Sequence, residues 1–187
     1  RPPPACSVED VAVHYDLSIP VEDIVDGWDY ILAGCEYPGD SFPCFWPNFG
    51  PGVIAAFLGA TPHPDNGTVW FHAQESKSIE QWAFEYDPAN IWSRRVRDVM
   101  QAAMDRWRGL VQVSMTDLGG NLDILASFRP GQDLLLDLYD YPDEVKRLTR
   151  DAHAQWFRYF NELNTVLQPV NPGYTAWTSI FSEVPYY

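Results

Sequence analysis

The sequence of 187 residues predicts an α/β fold built from repeating strand–helix units. Apolar residues recur at three- and four-residue steps over 21–32, 91–107 and 145–167, the spacing of amphipathic helices. Short β-type runs at 68–72, 111–117 and 174–181 fall between them. The connections are long enough to carry parallel strands. About four such units are present, whereas a closed (β/α)8 TIM barrel takes about 250 residues, so the expectation is the first half of such a barrel in one domain spanning 1–187. The same periodicity also permits an open sheet.

Pro2, Pro3 and Pro4 keep the entry segment out of helices and central strands, and Val8, Val11, Val13 and Tyr15 suit a short strand. In the helix over 21–32 the apolar face is Val21, Ile24, Val25, Trp28, Ile31 and Leu32. Pro20 and the acidic pair Glu22-Asp23 suit its start, and Gly34 suits its stop. Residues 40–49 place Phe42, Phe45, Trp46 and Phe49 among prolines, which limits any regular strand there to a few residues. A short helix is expected over 53–58, closed by Gly59.

Pro62, His63, Pro64 and Asn66-Gly67 mark 61–67 as a turn before the strand 68–72. Ile79, Trp82, Ala83 and Tyr86 have helical spacing, which Pro88 interrupts. Asn90 caps the helix 91–107, with Ile91, Val96, Val99, Met100, Ala103 and Trp107 inward and Arg94, Arg95, Arg97 and Asp98 on a solvated face. Residues 111–117 form a strand that turns through 118–123 into two short helices, near 122–128 and 134–139. Pro142 and Asp143-Glu144 open a long helix whose stripe is Val145, Leu148, Ala152, Trp156, Tyr159, Phe160, Leu163 and Leu167. Pro169 and Pro172 end it, and residues 174–181 read as a strand.

Composition narrows the function. Eight Trp, ten Tyr and ten Phe suit a large core or a pocket for flat or sugar-like ligands. A net charge of −14 disfavours nucleic acid and anionic membrane as partners. Cys6, Cys35 and Cys44, odd in number and widely spaced, do not form a disulfide framework, which favours a reducing cytoplasm. No zinc-ligand spacing, membrane-length apolar run or signal-peptide h-region is present.

The candidate site residues follow from their places. Asp117 ends a strand beside Gly119-Gly120, where a carboxylate can bind a cation or orient a base, or simply form an Asx turn. Asn121 and Asp123 either extend that site or cap the next helix. His72 ends a strand, as a proton donor or a structural histidine, whereas His14 and His153 have weaker claims, the latter facing solvent on the long helix. Asn48 lies on a loop, as a ligand contact or a helix cap; Trp46 and Phe42 wall a pocket or fill the core. Cys44 has no basic neighbour in sequence to activate its thiol.

Two stretches resemble a known family. Asp117-Leu-Gly-Gly-Asn-Leu-Asp-Ile-Leu-Ala-Ser-Phe-Arg-Pro-Gly131, followed by Leu134-Leu-Leu-Asp-Leu-Tyr-Asp-Tyr-Pro-Asp-Glu-Val145, resembles the uroporphyrinogen decarboxylase superfamily. Asn48-Phe-Gly-Pro-Gly-Val-Ile-Ala-Ala-Phe-Leu-Gly-Ala60 is similar to the second unit of its methyltransferase-like branch. The resemblance implies a (β/α)8 barrel with a cleft at the carboxyl ends of its strands. It implies one of two activities: decarboxylation of a tetrapyrrole carboxylate, or methyl transfer with a corrinoid partner and a zinc-activated thiol. The family's zinc ligands, a His-x-Cys pair and a later Cys, are missing from this sequence. The acidic excess favours methyl transfer, because a porphyrinogen bearing eight carboxylates would meet a repulsive field. A non-catalytic half-barrel is the remaining expectation. Its open strand edges and apolar face call for self-association, a homo-oligomer, or pairing with the missing half.

Overall fold

The computed structural model describes residues 3–178 and 180–185. Pro2 of the entry segment and Ser179 of the expected last strand lie outside them. The chain is a mixed α/β structure with six α-helices and few, short strands among the described residues. It divides into two compact units: Arg1–Phe49, Arg95–Thr116 and Leu163–Tyr187 form the first, and Gly50–Arg94 and Asp117–Glu162 the second.

In the first unit, α1 (Val21–Leu32) has the expected bounds and buries Ile24, Val25 and Gly27. Gly27 is required by packing, since a Cβ there would approach Val8 Cγ2 to 2.8 Å. Strand β1 (Cys44–Phe45) pairs in parallel with β4 (Gln112–Val113), Cys44 opposite Gln112 and Phe45 opposite Val113. Phe45 packs on Trp28 of α1 and on Trp107, at ring separations of 5.7 and 5.2 Å. Trp107 is fixed in turn by its indole N–H, which donates to Asp29 Oδ1 at 2.7 Å. The expected strand over 111–117 is buried from 111 to 116, yet only two residues pair regularly. Beyond them Ser114 N donates to Phe45 O, and Met115 N to Thr175 O.

Two expected strands of this unit are absent among the described residues. Residues 8–15 contain a 3₁₀ turn, Ala12–His14, tied down by Ala12 N donating to Asn48 O at 2.6 Å. Tyr174 instead pairs back onto Ser182: the two exchange both backbone hydrogen bonds, at 2.7 and 2.9 Å. Gly173 permits this return, because a Cβ there would lie 2.5 Å from Ser182 O.

In the second unit, residues 61–67 are not a simple turn. Thr61–Asp65 is strand β2, paired antiparallel with β3 (Thr68–His72), and Gly67 takes a φ of 76° between them. The buried Val69 and Phe71 anchor the hairpin. Gly50, with φ 90°, lies against Val69 so closely that a Cβ would overlap its Cγ1. The short helix α2 (Ile54–Phe57) is fully buried, and Gly59 follows at φ 105°. Only Ile79–Gln81 of 78–87 is helical, as a single 3₁₀ turn. Trp82 and Phe84 then both pack on Phe128, at 5.0 and 4.8 Å.

Helix α3 (Ile91–Trp107) runs through the expected residues, but Ile91 in its first turn is 57% exposed and not part of the buried face. Asn90 caps it: Oδ1 accepts the N–H groups of Trp92 and Ser93 at 2.9 and 3.0 Å, and Nδ2 donates to Ala56 O at 3.0 Å. Asn90→Ala is expected to cost about 1–2 kcal/mol, measured as a lower urea midpoint with an unchanged slope.

Helices α4 (Asn121–Phe128), α5 (Gln132–Asp140) and α6 (Pro142–Leu167) follow. The α6 stripe is buried as expected, apart from a half-buried Trp156. Burial pushes the Tyr159 phenol up, and its oxygen accepts Asp87 N at 3.2 Å. On α5 the polarity is reversed: Leu135, Leu136 and Tyr139 face solvent, whereas Asp137 is 3% exposed. Asp137 takes both Nε and Nη2 of Arg129, at 2.5 and 2.9 Å, and Arg129 Nη1 donates to Lys77 O. Hydrogen bonding to Asp137 is the main cause that holds the Arg129 guanidinium above its usual range. Among the described residues, no helix is long and apolar enough to cross a membrane.

Candidate functional site

The site takes shape from the chain that leaves β4. Asp117 Oδ1 accepts the N–H of Gly119 at 2.8 Å, an Asx turn that reverses the backbone. Asp117 O accepts Val53 N at 3.1 Å, which ties this loop to the start of the 54–57 helix. Gly119 adopts φ 74° and crosses Gly52 at backbone contact: a Cβ on Gly119 would sit 2.5 Å from Gly52 Cα. Trp156 of α6 clamps the crossing by donating its indole N–H to Gly119 O at 3.0 Å. Gly120 then begins α4, with its N–H donating to Asp123 Oδ2 at 3.1 Å.

Beyond the turn, Asn121 Nδ2 lies 3.2 Å from His153 Nδ1. With the amide nitrogen as donor, Nδ1 is the acceptor and the imidazole proton sits on Nε2. His153 is exposed and edge-on to Phe157 at 4.9 Å, while Trp156 stacks on Phe160 at 5.1 Å. The turn thus carries a half-buried carboxylate that holds Gly119 N, and the first residue of α4 supplies a carboxamide bonded to a solvent-facing imidazole that packs on Phe157. Such a group can bind a polar or cationic ligand and donate one proton to it.

The expected residues thus divide. Asp117 lies in the turn before α4, and Asn121 and Asp123 lie in the first turn of that helix, where Asp123 is used in the cap. His72 is elsewhere in the same unit: it lies on the solvent face of the hairpin beside His63, ring centres 5.4 Å apart, and no described hydrogen bond joins it to Asp117. Sequence reasoning gave His153 to solvent alone and missed its bond to Asn121.

In the first unit, Asn48 Nδ2 donates to Asp10 O at 2.9 Å, which gives it a structural bond to the entry segment. Phe42 meets Phe181 edge-on at 6.2 Å. Trp46 is half-buried, and its buried Nε1 has no hydrogen-bond partner among the described residues. Cys44, on the opposite face of β1 from Phe45, has its Sγ 3.1 Å from Ser114 Oγ and 3.8 Å from Thr175 Oγ1, with the two hydroxyls 2.8 Å apart. Thr116 Oγ1 donates to Pro47 O at 2.8 Å. This buried ladder satisfies its own polar atoms and places no base against the thiol. It joins residues 61 positions apart, Ser114 and Thr175, and only folding brings them together.

Comparison with known proteins gives no match: no protein-family model fits the chain, and no curated protein or solved structure is significantly similar to it.

Proposed function

We propose that the chain is the first half of a (β/α)8 enzyme of the uroporphyrinogen decarboxylase superfamily, and that it serves methyl transfer with a corrinoid partner in the cytoplasm. Two features support the architecture. The parallel pairing of β1 with β4 has helices between them, and a glycine-bearing polar turn follows the second strand. The choice of chemistry rests on one observation, the engagement of the arginines. Arg95 donates to Ile19 O, Arg106 pairs with Asp26 and Asp29, Arg129 with Asp137, and Arg147 with Glu144 and Asp151; Arg158 lies over the Tyr86 ring. These five of the twelve Lys and Arg side chains are already engaged within the fold, and the net charge of −14 opposes the approach of a ligand with many carboxylates. A ligand with little negative charge meets no such barrier.

Asp117, Asn121 and His153 are the residues that contact the ligand in this reading. The family's zinc does not fit this chain by itself: among the described residues, no three His, Cys, Asp or Glu side chains converge to hold a metal.

The test is a thiol-dependent demethylation assay on the full-length protein with a methylated corrinoid. Turnover is expected, and Asp117→Asn is expected to lower it by roughly tenfold or more. Absence of demethylation, with release of CO2 from uroporphyrinogen by the same preparation, overturns the proposal in favour of the decarboxylase.

A further inference from the structure

We infer that His63 and His72 form a two-imidazole binding site for a divalent transition-metal ion, separate from the Asp117 loop and independent of the function proposed above. The register places Thr61 opposite His72 and His63 opposite Trp70. Side chains alternate faces along a strand, so His63 and His72 lie diagonally on one face. Both are exposed, and their rings are 5.4 Å apart between centres, with 44° between their planes.

That separation suits chelation. A nitrogen–metal bond of about 2.0–2.1 Å on each ring, closed at a tetrahedral angle, puts the ring centres about 5 Å apart. The last torsion of a histidine is broad, so each ring can turn a nitrogen to the ion at little cost. The backbone is already set. Pro62 and Pro64 flank His63 and fix their own φ angles, and Val69 and Phe71 hold the partner strand in the core. Binding therefore orders two side chains and leaves the hairpin unchanged.

Paired neutral imidazoles select zinc, nickel or copper over magnesium or calcium, which prefer oxygen ligands. Among the described residues no third His, Cys, Asp or Glu joins the pair. The remaining coordination positions thus belong to water or to a donor atom of an incoming ligand, as in an open metal site.

The experiment is calorimetric titration of the intact protein with Ni2+, repeated on His63→Ala, His72→Ala and the control His14→Ala/His153→Ala. The expected result is one ion per chain, bound roughly tenfold or more weakly by either single variant, because the second imidazole binds at a high effective concentration. The control is expected to match the parent. Cu2+ bound to the parent is expected to show two equatorial nitrogens by electron paramagnetic resonance, and one after either single substitution. His63→Gln, which keeps a polar side chain at an exposed position, serves if an alanine variant fails to fold. Equal affinity in the parent and the His63 and His72 variants, or loss of the ion from the control instead, overturns the inference.

Discussion

Replacing Gly119 with alanine is expected to destabilise the protein by about 3 kcal/mol, the sum of left-handed backbone strain and overpacking. The strain comes from φ 74°, and the overpacking from a Cβ placed 2.5 Å from Gly52 Cα. A backbone atom is the obstacle, so no rotamer change can relieve it. The reciprocal substitution separates the two causes. At Gly52 a Cβ would lie 3.8 Å from Gly119 Cα, an ordinary contact, although φ is 76°. Gly52→Ala is therefore expected to lose only about 1–2 kcal/mol. Urea denaturation of the pair measures the difference, and a Gly119→Ala variant no less stable than Gly52→Ala would remove the crossing from the account of the loop. The same variant should disturb Asn121 and His153, since Trp156 holds Gly119 O next to them.

The second large effect is at Asp137. Its carboxylate is 3% exposed and takes two bonds from Arg129, whose own side chain is 14% exposed. Asp137→Leu leaves a largely buried guanidinium with only the more distant and half-exposed Asp133, at 3.6 Å, and is expected to cost about 3 kcal/mol. Arg129→Met should cost a similar amount by stranding the carboxylate. The double variant is expected to recover most of either loss, because an apolar pair of similar volume leaves no charge uncompensated. Additive losses in the double-mutant cycle would show that the ion pair is not the source of the effect.

Helices were the most legible part of the sequence. The bounds of α1, α3 and α6 follow from apolar residues repeating at the helical period, with Asn90, Pro142 and the early acidic residues marking where they start. Residues 78–87 misled for a definable reason. Ile79, Trp82, Ala83 and Tyr86 have helical spacing, but Trp82, Phe84 and Tyr86 also alternate. Packing of Trp82 and Phe84 on Phe128, and of Tyr86 on Tyr159, favours the extended form. Prolines concealed β2, because Pro62 and Pro64 read as turn residues while a two-stranded sheet tolerates them at its edge. The polar loop at 117–123 was visible from its glycines. Its link to His153 was not, because hydrogen bonds across 32 residues leave no local pattern.

The hairpin prolines have a consequence for solubility. Proline nitrogens cannot donate, so the β2–β3 ladder runs through Thr61, His63 and Asp65, and the alternate positions 62 and 64 turn toward the outer edge. That rim offers carbonyl oxygens with no N–H between them, so an extended segment from another molecule finds only half of the bonds it needs to extend the sheet. A strand bearing an exposed tryptophan next to it is thereby shielded from aggregation by recruitment at that side.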